Sequence, residues 1–79
     1  MNELREPMSV QEFQLQGAYI ELNQLLKLEG FCGSGGEGKM LVAQGLVKVN
    51  GQVELRKTFK VRAGHVVEYA GHTIHVLGT

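Results

Sequence analysis

Seventy-nine residues with 43 % hydrophobic content and five aromatic side chains make one small domain with a modest core, mostly leucine and valine. That length excludes a nucleotide fold of several βαβ crossovers, and a single cysteine, Cys32, excludes an internal disulfide framework. Eight basic and eight acidic residues cancel, and no apolar run reaches the length of a signal-peptide core or a membrane span, so a soluble cytoplasmic protein is expected.

Residues 1–10 hold the only proline and no periodic pattern, and read as a flexible N-terminal tail ahead of one domain over 11–79. Phe13-Gln-Leu-Gln16 alternates like a short strand that Gly17 ends. Apolar positions at Ile20, Leu22, Leu25, Leu26 and Leu28, followed by Gly30, predict a first helix over roughly 22–29. Next comes the glycine cluster Gly33-Ser-Gly-Gly-Glu-Gly-Lys-Met40. Its spacing fits two phosphate-binding patterns, G-x-x-x-x-G-K and G-x-G-x-x-G. Both require a preceding strand, where this chain predicts a helix. Met40 also stands where the first needs a Mg²⁺-ligating serine or threonine.

Ser34 followed three residues on by Glu37 has a better local explanation, the S-x-x-E capping box of a second helix that ends at Gly45. Glycines in its first turns cost up to about 1 kcal/mol each relative to alanine. Tight packing on the first helix or close approach of a ligand would offset that cost. After Gly45 the period becomes two. Leu46–Leu55 alternates around Asn50-Gly51, a type I′ hairpin signal, and residues 58–61 add a short extended segment. Ala63-Gly64 marks a turn, and a second hairpin folds at Ala70-Gly71. The predicted fold is α+β, in the order β-α-α-β-β-β, with two helices packed on a small, mostly antiparallel sheet.

Charge is segregated along this order. Residues 1–38 hold six glutamates against two basic residues, and residues 39–62 hold six basic residues against one glutamate. A basic segment attracts polyanions even on a neutral protein, because distant charge is screened.

The stretch Ser34–Gly51 resembles the S4-type RNA-binding module, or αL motif: a serine-led helix with basic residues, a glycine, then V-x-V-N-G. Ser34, Lys39, Val42, Gly45, Val47, Lys48, Val49, Asn50 and Gly51 match in register. Leu22–Phe31 resembles the first helix of that family and Val61–Tyr69 its closing strand. As a whole the chain resembles small stand-alone bacterial members of the family. The resemblance implies binding of structured RNA by the two helices and the hairpin loop; ribosomal and transfer RNA are plausible targets, a monomer is the default, and neither a cofactor nor catalysis is expected. By position it implies a surface of Ser34, Gly35, Gly36, Lys39, Lys48, Asn50 and Gly51. Arg56, Lys57, Lys60 and Arg62 join that surface on charge alone. The chain departs from the family pattern at Gly35, where arginine is usual, at Gly38, where alanine is preferred, and at His65, where an acid commonly follows the glycine.

Tyr19, Phe31, Phe59 and Tyr69 read as core or rim residues rather than a base-stacking platform. His65, His72, His75 and Cys32 lack metal-ligand spacing, since His72 and His75 fall on opposite faces of a strand. Without any aspartate, and with no histidine beside Ser34, no hydrolytic site is expected. The competing functions are a protein-interaction adaptor on a ribonucleoprotein and a nucleotide-binding protein using residues 33–39.

Overall fold

The computed structural model describes residues 9–78, so residues 1–8 of the expected tail lie outside the described residues. The elements are β1 (Val10–Gln14), β2 (Ile20–Glu21), α1 (Leu22–Leu28), α2 (Gly35–Ala43), β3 (Val47–Val49), β4 (Gln52–Val53), β5 (Lys60–Val61), β6 (Val66–Tyr69) and β7 (His72–Leu77). Five strands form one sheet in the order β1-β7-β6-β3-β4. The pairing of β1 with β7 is parallel and the others are antiparallel. This is the expected α+β architecture. Two details of the order differ. The first strand lies at Val10–Gln14 rather than 13–16, because its register is set by β7, from Val10 opposite Thr73 to Gln14 opposite Leu77. In addition, β2 and β5 make a separate two-stranded ribbon, with Ile20 opposite Val61 and Glu21 opposite Lys60.

Strand parity separates the two faces of the sheet. Val47, Val49, Val67, Ile74 and Val76 are buried beneath the helices and form the core with Leu15, Leu22, Leu25, Leu26, Val42 and Val61. Each fully buried side chain of this kind contributes about 1.5–3 kcal/mol. The alternate positions Lys48, Glu68, Thr73, His75 and Glu12 face the other way. Among the hairpin turns, Asn50 and Gly51 have φ of 51° and 84°, and Ala70 and Gly71 have 50° and 84°. Positive φ at both central residues is what a type I′ turn requires.

Helix α1 has no side-chain cap; instead its first amide, Leu22 N–H, donates to the Phe59 carbonyl at 2.8 Å. The ribbon therefore closes the helix end that would otherwise be unsatisfied. Helix α2 is capped as predicted, with Ser34 Oγ accepting from Glu37 N–H at 3.1 Å. Glu37 reaches back one residue further than the capping box anticipates, its Oε1 accepting from Gly33 N–H at 2.6 Å. With Ser34 extended at φ −154°, the Gly33 amide is the one turned toward the carboxylate. The helix ends in a Schellman motif: Leu46 N–H donates to Leu41 O, Gly45 N–H donates to Val42 O, and Gly45 takes φ 78°.

Only Gly38 and Val42 of α2 are buried. A β-carbon on Gly38 would stand 2.5 Å from the Asn23 carbonyl oxygen and 3.1 Å from the Asn23 Cα. The helices therefore cross backbone to backbone at this point, which accounts for that glycine. Gly36 is different: a β-carbon there would meet only Ser34 Oγ, at 3.8 Å. Two substitutions separate packing from propensity. Gly38→Ala should lower stability by about 1–3 kcal/mol through overpacking. Gly36→Ala should leave stability unchanged or raise it by up to about 1 kcal/mol. Urea unfolding midpoints measure both.

Candidate nucleic-acid interface

The first turn of α1 joins the two halves of the predicted surface. On one side, Asn23 Nδ2 donates to the Gly35 carbonyl at 3.3 Å, and the Asn23 backbone touches Gly38. On the other, Leu22 is bonded to Phe59, next to Lys60. The α2 start (Ser34, Gly35, Gly36, Lys39) and the basic ribbon (Lys60, Arg62) thus flank the same helical turn. Lys27 also belongs on that side, four residues beyond Asn23 and so on the same helix face. The sequence reading omitted Lys27, although the helical period makes it legible.

The Asn50-Gly51 turn is tied into the same region. Asn50 Oδ1 accepts from Val66 N–H at 2.8 Å and Asn50 N–H donates to Val66 O at 2.8 Å, beside the Arg62–His65 turn. Asn50 Oδ1 is therefore committed to the fold. His65, which stands where the family commonly has an acid, closes its turn as an acceptor: Arg62 N–H donates to His65 Nδ1 at 2.8 Å.

At the α2 start, Ser34 Oγ and the Glu37 carboxylate are already engaged. The Gly35 and Gly36 amides have no intrahelical acceptor, because they open the helix, and no partner among the described residues. They remain available to an anion. In a P-loop the glycines form a loop around the phosphates. Here the helix begins at Gly35, inside the pattern, and α1 precedes the cluster, so the context that motif needs is absent from this segment.

Two of the predicted residues stand apart from the rest. Lys48 lies on the sheet face away from the helices, opposite Val53 on one side and Glu68 on the other. Its neighbours Val47 and Val49 are the buried ones, and parity turns Lys48 outward. Arg56 reaches the region, but as half of an ion pair: Nε donates to Glu54 Oε2 and Nη2 to Glu54 Oε1, both at 2.9 Å. The Arg56 N–H also donates to Glu54 Oε2 at 2.9 Å. These hydrogen bonds hold the Glu54 carboxyl below its ordinary value of 4.5 and raise the guanidinium above its own. The E-x-R spacing in an extended segment, which puts both side chains on one face, was the available signal.

Phe59 packs on the rim of the core and Tyr19 is exposed, and each ring carries cations. Tyr19, 43 % exposed, carries Lys60 Nζ 5.0 Å and the Arg62 guanidinium carbon 5.4 Å from its ring centre. The Arg56 guanidinium lies over Phe59 at 4.7 Å, and His65 tilts against the same ring at 5.5 Å. Arg56, Thr58, Phe59, Lys60, Arg62 and His65 line one open groove. Phe31 instead stacks on His72 at 4.8 Å and meets Tyr69 at 5.4 Å, over the core side of the sheet. Among the described residues no three His, Cys, Asp or Glu side chains converge as a metal site, and no helix is long and apolar enough to cross a membrane.

The S4 domain model matches residues 13–77. The chain belongs to the S4 domain family. It is 49 % identical to Escherichia coli (strain K12) YbcJ over 59 residues, covering 75 % of this chain and 84 % of that protein. The solution structure of E. coli YbcJ, which carries an αL motif involved in RNA binding, matches 98 % of this chain and 96 % of its own at a TM-score of 0.62 and 40 % identity. The tyrosine–tRNA ligase of Ralstonia nicotianae is 40 % identical over 65 residues, which are 82 % of this chain but 17 % of that enzyme.

The Glu54–Arg56 pair has a defined pH response. A carboxylate with a lowered folded pKa contributes its stabilisation fully above the ordinary value of 4.5, and loses it as pH falls through the lower folded value. The Arg56 Nε–H resonance should therefore keep its hydrogen-bonded position through pH 4.5 and lose it only at more acid pH. In Glu54→Gln that shift should be absent at neutral pH, as an NMR titration of the arginine side chains would show.

Proposed function

We propose that this chain binds structured RNA, as one domain over residues 11–79 that its first strand extends to Val10. The backbone amides of Gly35 and Gly36 and the side chains of Lys39, Lys57, Lys60 and Arg62 take phosphates. Asn50 and Gly51 shape the adjoining turn, and Lys27 extends the surface along α1. The observation that carries this reading is the junction at Leu22 and Asn23. There a helix start with two unpartnered amides and an exposed basic ribbon are held on either side of one turn. Membership of the S4 family and the likeness to YbcJ, with its RNA-binding αL motif, support the same partner. The match to a segment of a tyrosine–tRNA ligase supports transfer RNA as one target, beside ribosomal RNA. We propose further that the protein acts in the cytoplasm as a monomer, by binding without chemistry. Lys48 falls outside this surface because it points from the opposite sheet face.

Phosphate contacts of this kind position an RNA, whose grooves and shape then supply selectivity. If Lys39, Lys57, Lys60 and Arg62 each neutralise one phosphate, log K should fall with log salt at a slope of about −3 to −4. A labelled stem-loop titrated at several salt concentrations measures this, and no binding at low salt would refute the proposal. Lys39→Glu should weaken binding at least about fivefold and flatten the slope by more than about 0.7. Lys48→Glu should change affinity less than about twofold, since an exposed charge across the sheet is screened over roughly 10 Å at 0.1 M salt.

A further inference from the structure

We propose that Arg56 is a base-stacking residue, so that the surface selects RNA carrying an unpaired nucleotide beside its helical part. The inference rests on the RNA-binding reading above. Four observations place the guanidinium in that role rather than on a phosphate. Its Nε–H and one Nη2–H donate to Glu54, at 2.9 Å each, so the side-on edge is occupied and the Nη1 N–H groups stay open. Its charge is matched by that same carboxylate, whose side chain is only 13 % exposed. Its guanidinium carbon lies over the Phe59 ring, 4.7 Å from the centre. The Arg56 side chain is nevertheless 73 % exposed, so a nucleotide can reach the guanidinium from solvent.

A phosphate gains less from a guanidinium whose charge and side-on edge a carboxylate already takes. An unpaired base needs a flat, polarizable surface that is already fixed in orientation, and RNA-binding proteins use both aromatic rings and arginine planes for this. Here Glu54 fixes the plane from its edge and Phe59 fixes it from beneath. The rotamer freedom that a surface arginine would lose on binding is therefore largely spent in the free protein. Lys57, Lys60 and Arg62 are exposed along the same segment and can take the phosphates on either side of a stacked nucleotide. Thr58 and His65 line the groove beside it.

The test compares a fully paired hairpin stem with the same stem bearing one bulged adenosine. Wild-type protein should bind the bulged RNA about tenfold more tightly, the scale of one base–side-chain stack. Arg56→Lys keeps the charge and removes the plane. It should abolish that preference, the affinity for the bulged RNA falling to that for the paired stem. Glu54→Gln should lose preference as well, and should steepen the slope by up to about 0.9 as the freed guanidinium turns to a phosphate. The proposal is overturned if wild type shows no preference for the bulge or if Arg56→Lys retains it. It is equally overturned if Arg56→Lys or Arg56→Ala weakens both RNAs alike with a flatter slope, the pattern of a phosphate contact. Failure of wild type to bind either RNA at low salt would instead remove the RNA-binding reading beneath it. Unchanged amide spectra of the variants away from residues 54–59 show that the fold is intact.

Discussion

The site depends on the contact between two backbones, at Gly38 of α2 and Asn23 of α1. Helix α2 buries little besides Gly38 and Val42, so its attachment cannot come from a broad apolar face. Close approach takes the place of side-chain interdigitation, and any β-carbon at Gly38 would enter the Asn23 carbonyl. That approach also lets Asn23, itself 2 % exposed, hold the Gly35 carbonyl and fix the start of α2. One residue earlier, Leu22 is bonded to Phe59 and so fixes the basic ribbon. Two halves of a surface that are distant in sequence are thereby locked to one helical turn.

Electrostatics then sort residues that look alike in sequence. The segment 39–62 has six basic side chains, but they are not six equivalent cations. Lys48 is turned to the open sheet face by strand parity, and Arg56 is matched by Glu54. Lys60 and Arg62 sit over Tyr19, a ring that orders the cations without neutralising them. Glu37, in the first turn of α2, serves as an acceptor for the Gly33 amide and leaves the next two helix amides open. A chain of zero net charge thus keeps a local surface on which positive charge and free N–H groups coincide.

Much of this was legible in the sequence, and for identifiable reasons. Capping, glycine stops and type I′ turns are local, so Ser34, Gly45 and Asn50-Gly51 announced themselves correctly. The αL-type register of Ser34–Gly51 pointed to the family that the S4 match then showed. What stayed hidden was non-local. The parallel pairing of β1 with β7 spans nearly the whole chain, and nothing in Val10–Gln14 specifies its partner. The ribbon of Ile20-Glu21 with Lys60-Val61 is two residues long on each side, too short for a periodic signal, so the placement of Tyr19 against Arg62 could not be anticipated. In the sequence, Gly38 shows only its cost to the helix. Its cause, the Asn23 backbone, is a tertiary contact.

The central claim is that RNA lies along the junction of the α2 start and the basic ribbon, and leaves the open sheet face free. Amide chemical-shift mapping of the ¹⁵N-labelled protein during titration with a stem-loop RNA tests it most directly. The account predicts perturbation of Gly35, Gly36, Lys39, Lys60 and Arg62, with little change at Glu12, Thr73 and His75. Perturbation concentrated on Glu12, Thr73 and His75, with the glycine amides of α2 unmoved, would contradict it.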